Sequence, residues 1–386
     1  MSLHESSIFV GGYDAPAKPL PQREWDVPDS VPAKSTIMDY GFVVKGQTIG
    51  CTRDELVESL LQRGGEISFV WTPETPQPVR PEQVPFLIGA LREIETNSAR
   101  KWILWGGAVV AFAVILASAS PEWGKLSRDI IFTFGALLLA AGNTKYWRSR
   151  TYTQEDAVND ASAARFEAWV QKKSLSVYTI AVIGFLCLVS IVAGIPEDSA
   201  ALAGLVKPAV WRGEVWRLFT APLLQSELTH FIINAAGLVY LSKRTEQTLH
   251  RAFVPLLFLV SAVMGSVFSL MFDPLTTSVG GAAGGVMGLV GFIAMAAFLD
   301  RKNYPVRYFQ RMILLMVAFF GVNLFGFEFF DPAAGAGGIV AGGILGWLSV
   351  KLNRPSISEK LLKVAGVGGV LGVAATAVFA ISRMLS

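Results

Sequence analysis

Nine stretches of this chain, 102–120, 130–142, 175–195, 228–242, 253–272, 279–299, 312–329, 335–350 and 362–382, are runs of apolar residues. A helix crossing the hydrocarbon core needs about 20 mostly apolar residues, because lipid offers no partners to an open backbone. Such runs, repeated along a chain, fit one class of fold: an all-α polytopic membrane protein. Composition agrees, since 52% of the residues are apolar, 16% are charged and the mean hydropathy is +0.47, which excludes a soluble globule. The runs are read as nine spans. The 130–142 run is short and is entered through Arg128 and Asp129, so a re-entrant or tilted piece stands beside a full span.

The charges are split along the chain. Residues 1–100 carry 9 Lys/Arg and 14 Asp/Glu, whereas 101–386 carry 24 and 16. An acidic head therefore precedes a basic membrane part, with none of the clustered basic stripes of a nucleic-acid binder. The partners expected are the lipid bilayer and other integral membrane subunits, not nucleic acid. Basic residues in short loops mark the cytoplasmic face. With the head inside, the inner loops hold seventeen, from Lys145 to Lys363, and the outer side holds six: Lys125, Arg128, Lys207, Arg212, Arg217 and Arg383. Residues 1–100 contain no apolar stretch of leader length. The N-terminus is therefore expected in the cytoplasm and the C-terminus outside it, in a bacterial inner membrane. The two cysteines, Cys51 and Cys187, offer neither a disulfide framework nor a thiolate metal site.

Residues 1–35 hold Pro16, Pro19, Pro21, Pro28 and Pro32 among charges, which favours an extended arm, either a disordered tail or a strip lying against the folded part. Residues 36–96 read as a small α+β domain. Tyr40–Val44 and Gln47–Cys51 flank Lys45 and Gly46 as a hairpin, Thr52 and Glu55 form a capping box opening a helix that Gly64 and Gly65 end, and Ile67–Trp71 is a third strand. The order Tyr40-Gly41-Phe42, Gly46-Gln47, Glu55-Leu56, Val70-Trp71 and Val84-Pro85 resembles the bacterial GYF-like domain. That family usually has Gly-Pro-Phe where this chain has Gly50-Cys51-Thr52, so a simple cytoplasmic cap and a peptide-binding module both remain open. A two-span hairpin is expected over 97–150 and a linker over 151–174. Within the linker, 155–173 is either an interfacial helix or a loop helix packed on the head.

Residues 175–350 resemble the six-helix core of the rhomboid family of intramembrane serine proteases, and 351–386 add one further C-terminal helix. Trp216-Arg217 resembles the family's outer-loop element, His230-Phe231-Ile232-Ile233-Asn234 its His-x-x-x-Asn, and Glu246 the Glu closing that helix. Gly281-Ala282-Ala283-Gly284 follows the Gly-x-Ser-Gly motif except at the serine. Ala334-Gly335-Ala336-Gly337-Gly338 follows Ala-His-x-Gly-Gly except at the histidine. The resemblance implies a nucleophile position at Ala283, a base position at Gly335 and oxyanion donors at His230 and Asn234. A methyl group cannot attack a carbonyl and glycine carries no base, so nucleophile and base are lost together.

No register shift rescues the pair. The three histidines are His4 in the arm, His230 in the oxyanion position and His250 at the inner end of a helix. Ser278 has no lysine in the outer half of the helices to serve it, and Asp273 and Asp331 read as solvated loop carboxylates. An engineered serine-to-alanine change would account for Ala283 and leave Gly335 unexplained. Gly280, Gly284 and Gly288, and likewise Gly338, Gly342 and Gly346, recur every four residues. Small residues so spaced let helices approach backbone to backbone. Internal packing of the fourth core helix on the sixth is one reading. The other is a partner-helix groove over Gly280, Ala283, Gly284, Gly288, Gly335, Gly338 and Gly342. His230 and Asn234, with Asn323 and Glu328, are read first as structural polar residues. The functional expectation is a pseudoprotease that binds or scaffolds membrane proteins without cofactor or metal. An active protease with an altered site, and a lipid-handling or membrane-thinning protein, are the alternatives.

The basic-residue count generates the first prediction. Membrane-impermeant thiol reagents should label single cysteines engineered beside Asp273 and Asp331 in intact cells, and should leave those in the head and in the 300–311 loop unlabelled. Labelling of the head from outside would overturn both the orientation and the span count.

Overall fold

A computed structural model of the chain describes residues 24–27, 31–33, 38–119, 125–196, 198–225, 228–273, 277–278, 281–324, 331–351 and 359–386. Most of the 1–35 arm, with His4, lies outside them, as do Gly280 and Glu328. In the head, strands β1 (Tyr40–Val44), β2 (Gln47–Cys51) and β3 (Ile67–Trp71) form an antiparallel sheet ordered β2-β1-β3. Lys45 and Gly46 take φ of 50° and 80°, the left-handed pair that a two-residue hairpin turn requires. Helix α1 (Arg53–Arg63) is opened by the Thr52 and Glu55 capping box. Leu56 and Leu60, fully buried, pack with Val70 and Leu87 in a core of the head's own.

Helix α2 (Ile88–Ala119) starts inside that core with Ala90 and runs unbroken past residue 96. At 32 residues it is about 48 Å long. It pairs with α3 (Lys125–Ser149), a continuous 25-residue helix that carries the whole 130–142 run. Gly106, Gly135 and Gly142 bring the two backbones together: a methyl at Gly106 would stand 2.7 Å from the Leu139 amide nitrogen. Leu104, Trp105, Phe112 and Ile115 remain exposed, as a lipid-facing surface requires.

Helix α4 (Gln154–Lys172) joins the head to the remaining helices. Trp25, in a short 3-10 turn of the arm, packs edge-on against Phe166, with ring centroids 4.9 Å apart. Asp26 accepts from Arg165 Nε at 2.9 Å and Ser162 Oγ at 2.8 Å, and Arg165 pairs with Glu82 of the head at 2.7 Å. Through these contacts the 155–173 stretch packs on the head.

After α4 come α5 (Val177–Ala193), a strap of short helices leading to Gln225, then α6 (Leu228–Thr245), α7 (Val254–Phe272), α8 (Ala283–Leu299), α9 (Tyr308–Leu324), α10 (Pro332–Lys351) and α11 (Glu359–Leu385). Helix α8 is central, and thirteen of its seventeen residues are buried. Among the described residues, each apolar run therefore falls on a helix. By length and composition, however, only four stretches among the described residues are fit to cross a membrane: Pro85–Leu116, Arg251–Phe272, Pro332–Lys351 and Val364–Leu385. A fifth follows if α4 and α5, bent by 74°, count as one span. The nine-span count exceeds this because helices such as α8 are short, as one surrounded by protein can be.

Glycines set how closely α8 is surrounded. A methyl on Gly338 would collide with the Gly284 carbonyl oxygen and one on Gly342 with that of Gly288, while Gly265 of α7 approaches the Ala334 carbonyl. At the head-side end, Arg244 of α6, buried, pairs with Glu167 of α4, which also accepts from Tyr308 Oη of α9 at 2.9 Å. Removing one partner of a buried pair typically costs about 3–5 kcal/mol.

Overpacking a tight contact costs about 1–3 kcal/mol. Gly338→Ala and Gly342→Ala should each lower the protein's resistance to denaturant by at least that amount. Gly368→Ala on α11, where the added methyl meets nothing within 4 Å, should leave it unchanged. Equal tolerance at all three sites would contradict the backbone contact.

Candidate functional site

His230 and Asn234 stand one turn apart on α6 and so share a face. The Asn234 amide donates to Gln225 Oε1 at 2.9 Å, and both side chains are buried. Gln225 belongs to the strap, which is held further by the Gly281 amide donating to the Ala221 carbonyl at 3.1 Å. Gly281 has φ of +143°, a conformation that glycine adopts without strain, and it delivers the chain to the first residue of α8, Ala283. Ala283 is 7% exposed and ends in a methyl.

Gly335 lies buried near the start of α10. The place a side chain would take there is filled by Phe319 of α9, whose ring edge overlaps any atom added at Gly335. Phe319 also lines a cleft of about 340 Å³ between α6, α8 and α9, together with Asn234, Gly237, Ala283, Val286 and Met287. Its walls are apolar apart from Asn234 and Tyr240. The structure thus brings Ala283 and Asn234 to one cleft, with Phe319 standing between it and Gly335.

The glycine groove needs correcting. Gly284, Gly288, Gly338 and Gly342 are spent on each other's backbones and on Ser261 of α7, which leaves no room for a foreign helix. Gly280 lies outside the described residues. Only Ala283 of the proposed groove residues lines the cleft.

Trp216 and Arg217 hold the strap. Arg217, buried, pairs with Glu214 at 2.8 Å, donates to the Gly204 carbonyl at 2.9 Å and lies 4.5 Å from the centre of the Trp216 ring. Trp216 meets Phe379 of α11 edge-on at 5.3 Å, and Arg383 approaches the same ring. The extra C-terminal helix is therefore a clamp on this loop.

The solvated reading fails for Asp273, while Asp331 has a local role at a helix start. Asp273 pairs with buried Lys207 at 2.9 Å, tying the strap to the end of α7, and Asp331 caps α10 by accepting from the Ala334 amide at 2.9 Å. Lys207 and Asp273 are 66 residues apart, so no local pattern links them. Ser278 pairs through its backbone with Leu205. At the opposite end of α6, burial pushes the Glu246 carboxyl above its usual range, against the pull of Arg251, Lys173 and Lys243. His250 sits at that same end, its Nδ1 accepting from the Ala252 amide at 3.2 Å. Among the described residues no three His, Cys, Asp or Glu side chains gather as metal ligands.

A model of the rhomboid domain matches residues 212–352. RHOMBOID-like protein 1 of Arabidopsis thaliana is 29% identical over 150 residues, 39% of this chain and 38% of that protein. Inactive RHOMBOID-like protein 8 of the same plant is 33% identical over 132 residues, 33% of this chain and 36% of the relative. The putative rhomboid protease YdcA of Bacillus subtilis is 28% identical over 142 residues, 37% of this chain and 71% of the relative. The match spans less than two fifths of the length of these two plant relatives. These likenesses support rhomboid family membership for the matched region, and with the apolar helices they make this a multi-pass membrane protein.

A lone polar group left buried costs about 1–3 kcal/mol. Asn234→Leu, which strips Gln225 of its partner, should destabilise by that amount, and adding Gln225→Leu should recover much of the loss. A double-mutant cycle on unfolding in detergent measures this. Strictly additive losses would mean that the two amides do not depend on each other.

Proposed function

We propose that this protein is a rhomboid pseudoprotease, a non-hydrolytic binding or scaffold protein for other integral membrane proteins. The observation that carries the reading is the pairing of Ala283 with the Phe319 ring at Gly335: where attack would require a hydroxyl and a base, there are a methyl and a phenyl edge. Phe319 matters beyond the missing side chains. A histidine restored at 335 would have to displace that ring before it could approach position 283. That one relative is named inactive supports the reading, while others, among them rhomboid protease GluP of Bacillus subtilis, are named proteases.

The cleft is what such a protein would offer a partner. Its walls at Ala283, Val286, Met287 and Phe319 suit apolar side chains of a helix arriving between α6 and α9. Asn234 would meet a backbone carbonyl where a transmembrane helix loosens. Binding there needs no catalytic dyad to be buried and gains close van der Waals contact. The head and arm, on the cytoplasmic side of an inner membrane in this reading, would supply a second attachment, and two modest contacts on one scaffold raise affinity through effective concentration.

The purified full chain should take no label from a serine-directed fluorophosphonate above an unrelated membrane-protein control, and should not cleave reconstituted transmembrane substrates. The Ala283→Ser and Gly335→His double variant should stay inactive, because Phe319 fills the site. Cleavage by the unmodified chain would make it an active protease with an altered site and end this proposal.

A further inference from the structure

A second cleft, of about 480 Å³, opens at the head-side boundary of the helices, where the end of α3 and the first turns of α9 meet α4. Four cations line it, Lys145, Arg148, Arg307 and Arg311, against two carboxylates, Glu95 and Asp160. Lys145 is held by Glu95 at 3.0 Å, Arg148 by Asp160, and Arg307 by Asp156 from outside the lining. Counting Asp156 still leaves the cations in excess, four to three. Arg311 is exposed and has no carboxylate within ion-pair distance among the described residues. A guanidinium held by one carboxylate keeps further N–H groups to donate, and Thr144 and Gln310 add neutral ones.

What selects the ligand is the continuation of this cleft. Leu314 lines its edge, and Val317 lies one turn further along α9; they are 53% and 60% exposed. The path therefore passes from clustered cations to bare apolar side chains on a single helix. That is the order of groups along a phospholipid. A free phosphate would have no use for the apolar track, and an acyl chain alone would have none for the cations.

We propose that this cleft binds the phosphodiester headgroup of an anionic phospholipid, with an acyl chain lying along Leu314 and Val317 of α9. Basic pockets between helices at a membrane face are suited to such headgroups, which offer acceptor oxygens to several fixed donors at once. The excess of positive charge favours anionic over zwitterionic lipid. The inference is independent of whether the cleft at Ala283 binds a partner.

Native mass spectrometry of the delipidated full chain in detergent tests it, with phosphatidylglycerol and phosphatidylcholine of identical chains as probes. Phosphatidylglycerol should bind about tenfold more tightly than phosphatidylcholine. Arg311→Gln should remove most of that preference, and Gln310→Glu, which places a negative charge in the cleft, should do the same by a different route. Lys101→Gln, the same loss of charge on exposed α2 outside the cleft, should leave it intact. Millimolar inorganic phosphate should not displace the lipid. Equal binding of the two lipids, retention of the preference in both cleft variants, or an equal loss in Lys101→Gln would overturn the proposal. Displacement by phosphate would make this a soluble-anion site and overturn it as well.

Discussion

The membrane part depends on backbone meeting backbone. Lipid gives helices no hydrophobic reason to associate, so what holds α7, α8 and α10 together is how closely their main chains can come. The glycines at 265, 284, 288, 338 and 342 remove the side chains that would hold them apart; at 265, 288, 338 and 342 a single methyl does not fit, and at 284 it would press on the Ala334 carbonyl at 3.2 Å. The weak dispersion of each atom pair adds up only because the surfaces run parallel for several turns. A contact so intolerant also fixes the helices axially, and Ala283 and Gly335 stand where they do because the turns beneath them cannot slide.

That rigidity extends to the frame around the cleft at Ala283. The strap is pinned by Arg217, by the Lys207–Asp273 pair and by the Asn234–Gln225 amides, none of which needs a nucleophile. Within the frame held by these contacts, the Phe319 ring of α9 occupies the place a side chain at Gly335 would take. Asn234 of α6 thereby serves as a tie for the loop through Gln225.

How much of this could be read from the sequence depends on the range of each interaction. The Lys45 and Gly46 hairpin and the Thr52 capping box are settled within a few residues, and they appear where the sequence puts them. The helices follow from apolar runs. The glycine stripes were legible as close-contact positions, but spacing alone does not say whether the facing surface belongs to the same chain, and here it does. Contacts spanning most of the chain left no local trace. Trp25 reaches Ser162 and Phe166 across 137 and more residues, and Arg244 reaches Glu167 across 77. Asp273 reads as a loop carboxylate until the fold brings Lys207 beside it.

The same long-range contacts give the cleft at Ala283 unequal ends. Glu167 receives Arg244 from α6 and Tyr308 from α9, so one carboxylate on α4 ties together the two helices that wall the cleft. Tyr304, just before α9, donates to the Arg244 carbonyl at 2.9 Å, and Asp156 of α4 holds Arg307. Parting α6 from α9 at that level would leave buried charge and hydroxyl groups without partners, at a cost of several kcal/mol, about 3–5 for the ion pair alone. Further from the head, between Val286 and Phe319, the walls meet through apolar side chains, which give up only dispersion when they separate in lipid. Opening of the cleft is therefore cheapest at the end that holds Ala283 and costliest at the end tied to α4. Through α4, the stiffness of that end is bound to Arg165, Asp26 and Glu82, and so to the packing of the head.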